Sequence, residues 1–464
     1  MKTSIVKTAV VFLSISSPLF AAEPLKVADH LELFVDDYLV EKTTGDVKQQ
    51  LMKPVAKEVV LVTDSPWEGN TSGYYSFFKD GDMFRVVYRG WQHDAKMKAE
   101  HKEVTCYAES KDGIHWSKPN LGLFEWKGSK ENNIVWLGLG THNFTAFRDD
   151  NPGASPEGRY KALGGLAGGL AMFQSPDCKN WKLVQDKPVI TDGAFDSQNL
   201  AFWDTDRNEY RAYWRIFTKG VTTKKNWKPE GFRAIRTATS KDFKAWENQA
   251  DLTYGEETPA QHLYTNAIQK YFRAPQIFIG FPTRYLPKEG QRVEPVLMSS
   301  RDGVKFNRWA EEVISEDAPK DRKGNRSNYM TWGMFQLPGK PKELSVYATE
   351  NYYERTPGRV RRFAYRVDGF VAMRGGAQGG EVLTKPLQYM GKNLLMNYVV
   401  REGGVLRVEV LDQSGKVIGK SKALQGNAVD GVVEWEKNPE LKNGVVSLRI
   451  SLKNADVFSL KFSN

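Results

Sequence analysis

The sequence predicts an all-β chain, a five-bladed β-propeller followed by a C-terminal β-sandwich. Three observations lead there. A short Ser-x-Asp segment recurs along the chain, each copy sits among short strand-like runs, and helical periodicity is almost absent. The copies are Ser110-Lys-Asp112-Gly-Ile-His-Trp116, Ser175-Pro-Asp177-Cys-Lys-Asn-Trp181, Ser240-Lys-Asp242-Phe-Lys-Ala-Trp246, Ser300-Arg-Asp302-Gly-Val-Lys-Phe306 and a degraded Arg366-Val-Asp368-Gly-Phe370. Their aspartates are spaced by 60 to 66 residues. One such segment is a common turn; five at near-constant spacing mark a structural repeat.

The chemistry of the repeat explains its shape. Ser and Asp side chains bond nearby backbone N–H groups and tighten a turn, and a following Gly accepts positive φ. The aromatic residue four positions after the Asp starts the next strand and packs between sheets. Each copy therefore reads as the hairpin joining the last two strands of a four-stranded unit. Upstream of the copies lie two further strand candidates per unit, beginning at Gly73 and Phe84, Asn143 and Tyr160, Asn199 and Tyr210, Tyr264 and Gln276, and Tyr329 and Glu343. Four short strands per unit is the pattern of propeller blades. The run Leu31–Val40 precedes the first blade and is expected to close the ring by pairing with the last.

Residues 23–374 are assigned to the propeller. Arg374–Gly380 (RGGAQGG) reads as a linker. Residues 381–464 hold alternating runs around the Asp412-Gln-Ser-Gly415 turn and read as the sandwich. Residues 1–22 carry Lys2 and Lys7, an apolar run from Ala9 to Leu19 and small residues before Glu23, the pattern of a secretory signal peptide. The expected location is periplasmic or extracellular, with no membrane span. Export permits a disulfide, but Cys106 and Cys178 fall in different blades, so two free thiols are expected.

Composition narrows function further. Hydrophobic residues at 40% and charged residues at 26% describe a globular chain, and aromatics at 12% suit both sheet packing and stacking on sugar rings. The net charge of +10 falls to about +8 without Lys2 and Lys7. That surplus favours an anionic partner such as a sulfated or uronic-acid polysaccharide. Nucleic acid is not expected, because the basic residues are scattered and no binding motif is present. No cofactor is read, the six histidines lack metal-ligand spacing, and nothing supports a structural calcium.

A five-bladed propeller with a trailing sandwich resembles the superfamily of glycoside hydrolase families 32, 43, 68 and 117. The runs Leu33-Phe-Val-Asp-Asp-Tyr-Leu-Val40, Pro66-Trp-Glu-Gly69, Ala194-Phe-Asp-Ser-Gln-Asn-Leu200 and Gly324-Asn-Arg-Ser-Asn-Tyr-Met330 are similar to those of secreted bacterial proteins labelled as family-32-like. The resemblance implies a secreted glycoside hydrolase acting on a plant or algal polysaccharide or oligosaccharide, with an inverting two-carboxylate mechanism. The Trp-x-Asn-Asp-Pro-Asn and Glu-Cys motifs of family 32 are absent. Phe147-Arg-Asp-Asp150 is similar to the Arg-Asp-Pro motif, yet it falls at the far end of an innermost strand, so Asp149 and Asp150 read as turn formers. The competing reading is a non-catalytic carbohydrate-binding propeller. A phosphorylase like those of family 130 is disfavoured by export.

A propeller's pocket lies on its axis, where innermost strands begin, second strands end and third strands start. That rule selects Asp196, Glu294, Glu350, Glu68 and His262 as catalytic candidates, since glycoside hydrolysis usually needs two carboxylates, one of them holding a proton. Asp36 and Asp37 join them if the first strand crosses the mouth. Arg89, His142, Arg215, Arg284, Asn328 and Trp332 are the substrate-binding candidates; arginines at strand ends can clamp sulfate or carboxylate bidentately.

Overall fold

A computed structural model describes residues 23–166, 168–314, 328–354 and 357–464. The expected signal segment and residues 324–327 of the fourth family-like run lie outside them. The chain is all-β, with two single-turn 3₁₀ helices among the described residues, and it divides into a unit spanning Gln49–Ala372 and a second built from the two ends of the chain.

Within Gln49–Ala372 the strands form five successive antiparallel meanders. The first runs Gly73–Asp80, Met83–Gly90, Val104–Ser110 and Ile134–Trp136. The second runs Thr145–Arg148, Tyr160–Gly164, Ala171–Ser175 and Lys182–Leu183. The third runs Leu200–Asp204, Glu209–Thr222, Trp227–Ser240 and Glu247–Asp251. The fourth runs Gln269–Tyr271, Ala274–Gly280, Arg292–Ser300 and Lys305–Glu312. The fifth holds Met330–Phe335, Glu343–Glu350 and Arg359–Arg366, and takes its outer strand, Val55–Val62, from far upstream.

Aromatic rings join each sheet to the next. Phe78 lies 6.0 Å from Tyr160, Phe147 5.5 Å from Phe243, Phe202 6.4 Å from Phe278 and Phe281 6.2 Å from Tyr365. Phe77 of the first sheet then stacks on Tyr347 of the fifth at 4.6 Å, so the order of contacts returns to its start.

Four of the five repeat segments form one turn. In each, the Ser Oγ and the Asp carboxylate face each other, and the carboxylate accepts two backbone N–H bonds, as from Ile114 and His115 onto Asp112. The residue after the Asp is left-handed in all four, at φ 75 for Gly113, 67 for Cys178, 65 for Phe243 and 79 for Gly303. Cys178 and Phe243 adopt this costly conformation while their side chains are buried, so packing outweighs the local preference for glycine. Trp116 and Trp181 then donate their indole N–H back to the turn, to Gly113 and Cys178 carbonyls. The degraded copy differs. Asp368 is buried, accepts from the Tyr271 hydroxyl at 2.5 Å and pairs with Arg273 at 3.0 Å.

The unit made from the chain ends is a curled ten-stranded sheet around one core that includes Phe34, Leu39, Leu394, Val408, Leu448 and Leu460. Its long strands Asn393–Leu411 and Gly444–Ser463 pair along most of their length, with a break in register between Val400 and Val405. Two expectations are corrected here. The run expected to pair with the last sheet does not do so: Glu32 and Leu33 pair with Leu460 and Ser459, because Phe34 and Leu39 fill this core, and Val55–Val62 is the strand that pairs with Arg359–Arg366. The segment expected as a linker is strand Val371–Thr384, with Gly375 opposite Ala455 and Gly380 opposite Leu452. Its glycines permit close approach of neighbouring backbone; a Cβ on Gly380 would overlap the Thr44 carbonyl. Both cysteines are free and buried.

The repeat turn makes a measurable contribution. Burial pushes the Asp177 carboxyl up, but bonds from Asn180 and Lys179 outweigh it and hold the group below its ordinary range. A depressed carboxylate contributes stability above its unfolded value near pH 4, and that contribution fades as pH falls through the folded value. Asp177→Ala is therefore expected to cost about 1–2 kcal/mol at neutral pH. Urea denaturation at neutral and acidic pH should show the deficit shrinking on acidification.

Candidate functional site

The site is organised around the loop Ala194–Asn199, which enters the innermost strand of the third sheet. Its backbone is pinned from three sides. The Asn143 amide donates to the carbonyls of Phe195 (2.5 Å), Ser197 (3.0 Å) and Gly165 (2.8 Å), the Asn199 amide donates to Phe195 and Ser197 at 2.8 Å, and Ser197 Oγ donates to the Tyr264 carbonyl at 2.6 Å. These bonds hold a tight backbone that satisfies its own buried carbonyls and leaves the Asp196 side chain half exposed.

Asp196 Oδ1 lies 2.9 Å from His142 Nε2, and Glu103 Oε1 lies 2.6 Å from His142 Nδ1. A neutral imidazole has one N–H, so satisfying both contacts requires a second proton, on the ring or on one carboxyl. Arginines flank the trio. Arg215 Nη2 stands 3.8 Å from Asp196 while its Nε donates to Ala194. Arg89 Nη1 stands 3.7 Å from Glu103, and its Nη2 donates to the Thr71 carbonyl at 2.9 Å and the Tyr352 hydroxyl at 3.1 Å. Burial alone would raise the Asp196 carboxyl; the His142 bond and the Arg215 and Arg89 charges outweigh it and bring it to about 2. Asp196 is thus an anion at any ordinary pH.

Beside this cluster opens a cavity of about 440 Å³. Tyrosines dominate its wall: Tyr74 and Tyr75 from the first sheet, Tyr264 and Tyr285 from the fourth, and Tyr329 and Tyr352 from the fifth. Tyr74 and Tyr264 link it to the charged cluster, since the Tyr74 ring sits 5.6 Å from His142 and Arg215 lies over Tyr264 at 4.9 Å. Four non-glycine residues of the wall have left-handed backbone, Tyr74 (φ 54), Met97 (φ 65), Gln291 (φ 62) and Tyr353 (φ 63). Such conformations cost of order 1–3 kcal/mol each and gather at binding sites.

The candidates chosen from sequence separate into two groups. Asp196, His142, Arg89 and Arg215 converge as described. His262 stands behind the wall: its Nδ1 accepts the Arg233 backbone N–H at 3.1 Å, and burial followed by the Arg233 charge lowers its proton affinity. Glu68 is buried against Lys118 at 2.6 Å and accepts the Tyr88 hydroxyl. Glu294 is buried between Arg284 at 2.6 Å and Arg292 at 3.0 Å. Glu350 is held by Arg359 at 2.6 Å and Arg361 at 2.5 Å. None of these three carboxylates lines the cavity. Arg284 is committed to Glu294 and the Ala310 carbonyl, Asn328 is buried beside Glu294, and Trp332 is a core residue donating to Ile268 at 3.0 Å. Asp149 accepts the Asn151 backbone N–H at 3.0 Å, as a turn former does, and also ties Tyr210 and Lys161 together, while Asp150 pairs with Arg148. Asp36 and Asp37 belong to the other unit.

Glu103, Arg233 and the tyrosines were missed. Glu103 immediately precedes the third strand of the first sheet, and Arg233 lies in the early half of the third strand of the third. Glu103 stands where a third strand starts, the same signal that points to Glu294, whereas Arg233 sits mid-strand and has no such signal. Among the described residues no group of three or more His, Cys, Asp or Glu is arranged to hold a metal ion, and no helix is long and apolar enough to cross a membrane.

No family model and no curated protein matches the chain. Solved structures similar to it include a glycoside hydrolase at 13% identity and TM-score 0.46, covering 67% of this chain and 92% of that one. A glycoside hydrolase family 43 arabinoxylan arabinofuranohydrolase from Bacillus subtilis has 10% identity and TM-score 0.41, covering 89% and 99%. An endo-arabinase from Bacteroides thetaiotaomicron has 11% identity and TM-score 0.42, covering 68% and 99%.

The His142 bond is the largest of the contacts that keep Asp196 acidic. In His142→Ala the Asp196 titration midpoint should rise by about one unit. Carboxyl ¹³C NMR of the two proteins checks this.

Proposed function

We propose that the five meanders are the blades of a closed propeller and that the protein is a glycoside hydrolase. Its substrate is a plant or algal polysaccharide or oligosaccharide, bound in the tyrosine-lined cavity. The observation that carries the reading is one ionised, half-exposed carboxylate, Asp196, held beside that cavity by His142 and Arg215. Tyrosine faces suit the apolar faces of sugar rings and their hydroxyls suit the sugar's own. An ionised Asp is suited to activate water as a general base, as inversion requires. Glu103 is the second carboxylate of the cluster. The N-terminal signal pattern supports export.

One feature favours the alternative, a non-catalytic carbohydrate-binding protein. Inverting enzymes keep about 6.5–9.5 Å between their carboxyls to leave room for water. Here His142 bridges Glu103 and Asp196 and occupies the space between them.

Product analysis on a panel of plant and algal glycans separates the two readings. Hydrolysis that falls about 10²–10⁴-fold in Asp196→Asn, with unchanged thermal stability, supports the enzyme. Binding with no turnover by the wild-type protein supports the alternative. Full activity in Asp196→Asn overturns the site.

A further inference from the structure

We propose that the cavity takes an anionic sugar, a uronate or a sulfate ester, through the guanidinium of Arg233. The proposal rests on the carbohydrate reading above and names its substrate class.

Among the described residues that line the cavity, Arg233 is the only one charged at neutral pH. Its position is set by the backbone. It pairs with Phe217 across the third sheet, and its N–H donates to His262 Nδ1. Its guanidinium is framed by three rings, Phe217 at 5.2 Å, Tyr264 at 5.3 Å and Tyr285 at 4.9 Å. Ring faces stabilise the cation but leave its N–H donors unused. Within the described residues that guanidinium has no carboxylate or carbonyl partner, and its Nε is buried without one.

Each of the other arginines near the site already donates to a carbonyl, hydroxyl or carboxylate, although Arg89 Nε, Arg215 Nη1 and Arg284 Nε are also buried without a partner. Arg89 donates to Thr71 and Tyr352, Arg215 to Ala194, and Arg284 to Glu294 and Ala310. Burial, and then the charge of Arg215, disfavour the Arg233 cation. Around the cavity and its adjoining cluster stand three guanidiniums, of Arg89, Arg215 and Arg233, against two carboxylates, of Glu103 and Asp196. An oxyanion with two or three acceptor oxygens resolves both conditions: it accepts the free fork of N–H donors and offsets the surplus charge. A neutral hydroxyl offers one acceptor and no charge.

The test uses a glycan array of matched neutral, uronate-bearing and sulfate-bearing oligosaccharides, followed by calorimetry on the ligands bound. The wild-type protein should bind at least one anionic series about 10–100-fold more tightly than its neutral match. Arg233→Gln should erase that margin, the anionic ligands losing about 10–100-fold more affinity than their neutral matches. Because Arg233 also packs against three rings, a thermal melt accompanies it, and Arg233→Lys, which keeps the charge but loses the planar fork, should retain part of the margin. The series that responds distinguishes carboxylate from sulfate. Equal affinity for neutral and anionic partners, or a margin that survives in folded Arg233→Gln, overturns the proposal and leaves the carbohydrate reading standing. Binding to no glycan overturns both.

Discussion

Four times among the described residues an Asp carboxylate turns onto two backbone N–H groups that follow it, with a Ser hydroxyl closing the other side and a left-handed residue between. Much of the larger unit depends on that turn. It reverses the chain at the end of each third strand, so the next residues leave in a fixed direction. It also places an aromatic ring, Trp116, Trp181, Trp246 or Phe306, against a neighbouring ring at 5.0 to 6.4 Å. Where Cys178 or Phe243 replaces glycine, burial of the side chain offsets the backbone cost. The fifth copy shows what happens without the Ser: Asp368 turns to Tyr271 and Arg273. After it the chain leaves the meander, whose fourth strand then comes from Val55–Val62.

The site follows a different logic, one of partial neutralisation. Buried carboxylates elsewhere in the larger unit are closed systems. Glu350 has two arginines, Glu294 has two, and Glu68 has a lysine and a phenol. Such pairs are costly to desolvate, and once fully matched they have nothing left to offer a ligand. The cluster at the mouth is matched less completely. Asp196 keeps half of its side chain in solvent, and the guanidinium of Arg233 has rings around it in place of acids. This unevenness is what the proposed ligand would complete.

Much of the fold was legible before any coordinates. The first two strands of each of the first three meanders begin within two residues of where alternation and turn chemistry put them, because both signals are local. The site was legible where a loop or strand-end signature announced it, as with Phe195-Asp-Ser-Gln-Asn199 and with Arg89 near the end of its second strand. It was not legible where the deciding fact was a partner. Glu103 and Glu294 stand at the start of third strands and Glu350 at the end of a second, yet arginines on the same or the adjacent strand hold Glu294 and Glu350, and only Glu103 reaches His142. Alternation explains part of this: Thr349 lines the cavity and Glu350, its neighbour in the strand, faces the other way.

The sequence by itself determined the all-β character, the repeating turn and the spacing of the meanders, because these depend on bonds between residues a few positions apart. The tertiary structure alone decided which chain segment completes the fifth meander, that the glycine-rich stretch 374–380 is a strand, and which charged groups remain free to act. Those outcomes depend on contacts between residues scores or hundreds of positions apart, such as Val360 with Leu61 or His142 with Asp196. No local preference encodes such contacts, since a carboxylate's chemistry is set by the charge that folding brings beside it.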